Sequence, residues 1–142
     1  MRKGIQVRLI KGPDMLPSLI DEGIQLWSGY VEPGRYIPTE KEITNEIRKY
    51  LKVNGIFHWK QWGNPMMMSG LSDIIGILPD GRFLAIEVKR PRVRGSGSHH
   101  INRKQREFLL RVKESGGVAI LAFCLDDVIK VLSPILERRV HG

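Results

Sequence analysis

The 142-residue sequence is poor in cysteine and in long apolar runs. Cys124 is the only cysteine, so a disulfide framework within one chain is excluded. No apolar stretch approaches the roughly 18 residues that a membrane span needs, and the N-terminus lacks the apolar segment of a signal peptide. We therefore expect a cytoplasmic protein that works in a reducing compartment without a membrane.

Acidic residues are also scarce, with 15 Asp and Glu against 23 Lys and Arg, which gives a net charge of +8. The excess is local. Between Lys89 and Lys113 there are nine basic residues and one acid, Glu107, so this segment carries the whole net charge. A basic block of this kind indicates a polyanion such as nucleic acid as partner, although a solvated basic face is the alternative interpretation.

The hydrophobic share of 42% and the chain length predict one globular domain over residues 39–142. Residues 1–38 are broken by prolines and predict an N-terminal extension or arm, with a strand at 4–11 and a short helix around 16–27. The remaining elements follow the order α-β-β-β-α-β-α: a helix 39–54, a strand 56–62, a hairpin 72–89, a helix 101–115, a strand 118–123 and a last helix to about 138. The strands are apolar on both faces, so helices should cover the sheet on both sides.

The hairpin between Ser72 and Lys89 is the most informative segment. Two apolar runs flank a Pro-Asp-Gly turn, and folding the chain about Asp80 places Asp73 and Glu87 opposite each other. In that register their Cβ atoms are about 5 Å apart on one face. Lys89 shares the face, because side chains two residues apart point the same way.

Two facing carboxylates and a lysine inside an apolar hairpin indicate a site for a divalent cation. Asp73 and Glu87 are the predicted ligands, the carbonyl of Val88 can add a third oxygen, and Lys89 can orient a water or neutralise charge. The alternative is structural: Asp73 as a strand-start cap, with Glu87 and Lys89 forming an exposed ion pair. The apolar surroundings of Glu87 favour the metal site, since an unpaired buried acid costs several kcal/mol.

Three segments carry a family resemblance: Gly70-Leu-Ser-Asp-Ile-Ile-Gly, the stretch from Asp80 to Pro91, and Lys104-Gln-Arg-Glu-Phe-Leu. Over roughly residues 39–130 the sequence resembles the VRR-NUC family of the PD-(D/E)XK nuclease superfamily, especially its stand-alone phage and bacterial members. The resemblance implies an α/β restriction-endonuclease-like fold, a mixed β-sheet core flanked by helices. It also implies DNA cleavage dependent on Mg²⁺, for which Mn²⁺ can substitute, with Asp73, Glu87 and Lys89 as catalytic residues. Ser72 and Thr44 depart from the family pattern, which usually has Pro and Gln there.

Two further site residues are predicted. Glu40 precedes Ile43 and Ile47 by three and seven residues, so it extends the buried stripe of the first helix, and the family pattern also selects it as a metal-site acid. Glu42 and Glu46 are the alternatives, although Glu42 already belongs to a capping box with Thr39. Gln105 lies on the apolar stripe of the 101–115 helix. A buried glutamine needs a partner, and the family supports a contact to the site rather than a hydrogen bond to backbone.

The DNA-binding residues are predicted from the basic block and from the strand before the hairpin. They are Lys60, Arg90, Arg92, Arg94, Arg103, Lys104 and Arg106; for Lys60 a solvated strand end is the alternative.

The leading hypothesis for function is an endonuclease selective for DNA structure, acting on branched DNA as a homodimer in the manner of a Holliday-junction resolvase. A monomeric flap or nick endonuclease, or a DNA-binding module that keeps the nuclease fold without turnover, are the alternatives.

Overall fold

The computed structural model describes residues 19–20, 22–62, 70–96 and 101–141, with the side chains of 139–141 left out. The predicted strand at 4–11 lies outside these residues. The described elements are β1 (Tyr30–Val31), α1 (Glu40–Val53), β2 (Phe57–Lys60), β3 (Ile74–Ile77), β4 (Phe83–Val88), β5 (Arg92–Val93), α2 (Arg103–Glu114), β6 (Val118–Ala122) and α3 (Leu125–His141). None of the described helices is long and apolar enough to cross a membrane.

A four-stranded mixed sheet, in the order β2-β3-β4-β6, forms the centre of the domain. The β2–β3 and β3–β4 pairs are antiparallel, and β4–β6 is parallel with α2 in the connection. The predicted hairpin is therefore confirmed, and β4, α2 and β6 form a parallel crossover. Ile74 pairs with Ile86 and Ile77 with Phe83, which is the register that folding about Asp80 predicts.

Helices cover both faces of this sheet, as the apolar strands predict. On one face, Ile43 and Ile47 of α1 and Val128 and Leu132 of α3 pack against Ile86 of β4 and other buried strand residues. On the opposite face, Leu109 and Val112 of α2 pack against side chains of β3, β4 and β6: Ile75, Ala85, Ala119 and Leu121. The mixed α/β sheet with flanking helices is thus confirmed.

Side-chain hydrogen bonds fix where the helices begin. Thr39 and Glu42 form the predicted capping box at the start of α1, with both of its hydrogen bonds present. Asn102 and Gln105 form a second capping box at the start of α2, which the sequence analysis did not predict. α3 begins at Leu125, before Asp126 and Asp127, and Asp127 Oδ2 accepts a hydrogen bond from the Phe123 backbone N–H at 2.9 Å, so this acid stabilises the helix start from within the first turn.

The described part of residues 1–38 is packed into the domain. Trp27 is 2% exposed and meets Phe123 edge-on with ring centroids 5.5 Å apart. β1 pairs in parallel with β5, which lies between the hairpin and α2, where the sequence predicts no strand. The helix expected around 16–27 is wrong for its second half, because residues 22–27 are not helical and Gln25 instead bridges to Leu121.

Replacing Trp27 by Ala should test whether this segment is integral to the core. We expect the free energy of unfolding to fall by about 3–5 kcal/mol, because a large buried ring is lost and its cavity cannot collapse fully. The neighbouring Leu26 is 38% exposed, so Leu26→Ala is the matched control and should cost under about 1 kcal/mol. Equal effects of the two substitutions in urea unfolding would contradict the packing described here.

Candidate active site

The site lies where β3 begins and β4 ends, on the sheet face that carries α2. Continuing the β3–β4 register by one residue beyond Ile74 and Ile86 brings Asp73 opposite Glu87. Asp73 also contacts the backbone of β4, because its Oδ2 atom accepts a hydrogen bond from the Val88 N–H at 2.8 Å. Along a β-strand, the N–H and carbonyl of one residue point to one side and those of the next residue to the other side. The Lys89 N–H bonds to β6. The N–H and carbonyl of Val88 therefore both point toward β3, which Asp73 directly precedes.

Glu87 is almost completely buried, with only 3% of its side chain exposed. Burial, together with the negative charge of Asp73, raises the pKa of Glu87 to about 9. Its Oε2 atom accepts a hydrogen bond from Gln105, whereas Oε1 is buried and has no donor among the described residues, and a hydrogen bond between the Glu87 and Asp73 carboxyl groups requires that one of them be protonated. Burying a carboxyl group with an unpaired oxygen lowers the free energy of unfolding, unless another group binds that oxygen.

Gln105 and Lys89 surround Glu87. The Gln105 Nε2 amide donates to Glu87 Oε2 at 3.0 Å, while Gln105 Oε1 accepts from the Asn102 N–H at 3.1 Å. Both halves of the amide are thus used, which fixes the orientation of the donor toward Glu87. Lys89 Nζ lies 3.9 Å from the same Oε2 atom and is 20% exposed, so its ammonium group sits between the buried carboxyl and solvent.

A glycine lets α2 approach the site. Gly70 has a positive φ of 82°, and a Cβ atom at this position would meet the backbone of Lys104 at 2.6 Å. Any larger residue would therefore push the start of α2, which carries Gln105, away from the hairpin. This explains in physical terms why the Gly70 motif precedes Asp73.

Glu40 lies at the start of α1, where it lines a cavity of about 450 Å³ together with Lys89 and Arg90. It is close enough that its charge adds to the raised pKa of Glu87. Glu42 is turned elsewhere: its carboxylate accepts hydrogen bonds from the Thr39 N–H and the Tyr36 hydroxyl. Of these two acids, the structure brings Glu40 toward the site.

Arg90 has a structural contact that the basic pattern did not predict. Its guanidinium donates to the carbonyls of Pro38 at 3.0 Å and Ile37 at 2.9 Å. These bonds tie the segment before α1 to the end of β4, so they hold Glu40 next to the site. A long-range contact of this kind leaves no trace in local sequence spacing.

The other predicted DNA-binding residues lie on β2, on β5 and directly after it, and on α2. Lys60 lies at the end of β2 with Nζ 4.5 Å from the centre of the Trp62 ring. Arg94 and Arg103 are exposed and form ion pairs with Glu32 and Glu107. Lys104 is exposed and Arg106 is half-buried. The Arg92 guanidinium donates a hydrogen bond to the Ser96 carbonyl at 3.2 Å.

The donor set fits a hard divalent cation. Asp73, Glu87 and the Val88 carbonyl offer oxygen atoms only, which Mg²⁺ and Mn²⁺ prefer, and Glu87 Oε1 has no other partner in the part of the chain described. Within residues 19–20, 22–62, 70–96 and 101–141 there is no group of three Asp, Glu, His or Cys side chains close enough to hold a metal. This is compatible with Mg²⁺, which proteins commonly hold with one or two carboxylates, the remaining positions being filled by water and substrate phosphate.

Comparison with known proteins agrees with this architecture. The sequence matches no family model, and no curated protein matches it significantly. Among solved structures, the chain is similar to one described as a VRR_NUC domain, with a TM-score of 0.52 and 19% identity over 66% of this chain and 94% of that one. The class of fold is thus a mixed four-stranded sheet flanked by three helices. More narrowly, the chain has the VRR-NUC fold that its sequence resembles.

Glu87→Gln should stabilise the metal-free protein at pH 8. The native-state pKa of Glu87 lies above the ordinary value of 4.5, so the native protein loses stability as the pH rises from about 4.5 to about 9. A neutral amide removes this loss, and we expect a gain of about 1–3 kcal/mol at pH 8 that shrinks toward pH 5. Urea unfolding at both pH values measures it. Glu114→Gln, at an exposed position on α2, is the control and should change neither value.

Proposed function

We propose that this protein is a metal-dependent endonuclease that hydrolyses phosphodiester bonds in DNA. The observation that carries the proposal is the buried Glu87 carboxyl with an unsatisfied oxygen, facing Asp73 and flanked by Lys89 and Gln105. A purely structural role for such a group is unfavourable, because a neutral side chain would fill the same space at a lower cost. A DNA-binding module without turnover would have no need to bury it.

Each residue has a role that follows from its position. Asp73, Glu87 and the Val88 carbonyl would hold Mg²⁺, with Glu40 approaching from α1. The ion would supply polarisation of the phosphate and stabilisation of the negative charge that develops in the transition state. Lys89 carries a positive charge at the mouth of the site, where it can orient the attacking water and stabilise the same developing charge. Gln105 acts through Glu87, by holding its carboxylate in one orientation, and is a positioning residue.

DNA as the substrate follows from the charge distribution. The segment from Lys89 to Lys113 holds nine basic residues and one acid; it begins beside Glu87 and contains α2, which contacts Glu87 through Gln105. Neutralising phosphates on both sides of the site would give strong, salt-dependent affinity without sequence specificity. In this proposal Arg90 positions α1 and does not contact a phosphate.

The leading version of this proposal is a homodimer acting on branched DNA. One domain with one site can cut one strand, so symmetric cleavage of a four-way junction requires two sites related by a two-fold axis. Light scattering distinguishes this version from a monomeric flap or nick endonuclease. A monomer at assay concentration would refute the junction-resolving dimer while leaving the chemistry of the site intact.

Asp73→Asn, Lys89→Met and Glu40→Gln should each reduce cleavage, by at least about a hundredfold for the first two. The amide oxygen introduced by Asp73→Asn could still accept the Val88 hydrogen bond, so the fold is kept while a carboxylate is lost. The measurement is a time course on labelled four-way junction, flap and linear duplex with Mg²⁺ or Mn²⁺. DNA affinity without metal should stay within about threefold of wild type.

Glu42→Gln is the matched control for Glu40→Gln. It lies two residues away on the same helix, and glutamine preserves the capping box, so cleavage should be unchanged. Full cleavage by Asp73→Asn, or equal losses for the Glu40 and Glu42 variants, would contradict the proposed site.

A further inference from the structure

An exposed aromatic strip adjoins the site on the same face of the sheet. Phe57 and Trp59 of β2 are 66% and 39% exposed, and they lie beside Ile77 of β3 and Phe83 of β4, which are 42% and 40% exposed. α2 covers this face over β4 and β6 but leaves it open toward β2, the edge strand. Large apolar side chains gathered on one open surface indicate a binding function.

The strand register connects this strip to the carboxylates. Phe57 pairs with Ile77, which pairs with Phe83, and Trp59 pairs with Ile75. The next position on the same face of β2 is Gln61, whose N–H donates to the Asp73 carbonyl at 2.8 Å. Trp59 and Gln61 are also joined directly, because the Trp59 Nε1 donates to Gln61 Oε1 at 3.3 Å.

These contacts place the Trp59 indole close to the carboxylates of the site. Two residues along a strand span about 7 Å, and β2 is two strands away from β4, so the backbones of Trp59 and Glu87 are roughly 12 Å apart. A nucleotide one or two positions from a phosphate held at Asp73 and Glu87 would therefore reach the indole. Both rings are exposed, and they are not stacked on each other, since Phe57 and Trp59 are tilted by 56° with centroids 5.6 Å apart.

We propose that Trp59 and Phe57 form a stacking platform for unpaired bases next to the cleaved phosphate, so that the enzyme favours DNA with unpaired nucleotides at the cut. This inference rests on the proposed nuclease function and specifies its substrate class. In intact duplex DNA the bases are stacked on each other and offer no free face to the strip. A base released at a branch, gap or frayed end can stack on an aromatic ring regardless of its sequence.

Charge favours a DNA strand over a second copy of the chain as the occupant of this strip. At the far end of the strip, Arg82 and Arg111 line one cavity together with Phe83 and Phe108. A phosphate backbone along the strip would meet these cations, whereas a second copy would bring a further net charge of +8 to the same face. A homodimer is compatible with this inference through another surface.

The test is the DNA affinity of Trp59→Leu and Trp59→Phe without divalent metal, measured by fluorescence anisotropy at fixed salt. Leucine keeps apolar bulk but lacks the flat ring, whereas phenylalanine keeps a ring. We expect Trp59→Leu to weaken binding of a single-stranded oligonucleotide and of a gapped duplex by about tenfold. Trp59→Phe should stay within about threefold of wild type, and affinity for intact duplex should be unchanged in both variants.

Val53→Ala is the control, because Val53 is 77% exposed at the end of α1 and lies outside the strip. Equal losses for single-stranded and duplex DNA, no loss in Trp59→Leu, or conversion of a dimer to a monomer by Trp59→Leu would each overturn the inference. The experiments distinguish failure of the stacking platform from failure of the proposed nuclease function. An enzyme that cleaves without needing Trp59 refutes the platform alone, and a protein that binds single strands through Trp59 but cleaves nothing refutes the nuclease alone.

Discussion

Burial of one carboxyl group, that of Glu87, is the constraint around which this site is built. β4 is paired on both sides and covered on both faces, so the side chain is almost completely removed from water. Asp73 faces it across the hairpin, which makes ionisation of the pair still more costly. A cation between the two groups would reverse the effect, because each carboxylate would then be attracted to the ion. The same residues that destabilise the metal-free fold would thus hold the metal, as expected where function conflicts with stability.

The surrounding elements are fixed by local hydrogen bonds that also serve the site. The Asn102–Gln105 capping box defines the start of α2 and, through the same amide, directs a donor at Glu87. At α1, the capping box uses Glu42 and leaves Glu40 in the cavity beside Lys89. Gly70 permits α2 to approach, and Arg90 ties α1 to β4. The precision of the site therefore depends on helix starts and turns as much as on the sheet.

Much of this arrangement could be predicted because local signals are strong there. The turn at Asp80 and the flanking apolar runs determine one register, and a slip by one residue would move Asp73 to the face of the sheet opposite Glu87. The capping box at Thr39 and the stripe of α1 are equally local. By contrast, β1 and β5 have two residues each and no periodic pattern, and they pair across about 60 residues of sequence. The contacts of Arg90 and the open face beside Trp59 depend on which elements become neighbours, which spacing along the chain does not encode.

The central claim is that Asp73 and Glu87 together bind a divalent cation. Paramagnetic Mn²⁺ broadens NMR signals of nearby nuclei, so titrating it into isotope-labelled protein locates the ion directly. The account predicts that the Gln105 side-chain amide and the backbone amides of Val88 and Lys89 are broadened first, and that Asp73→Asn removes this effect. Broadening that begins elsewhere, for example at the acidic first turn of α3, or that persists in Asp73→Asn, would contradict it.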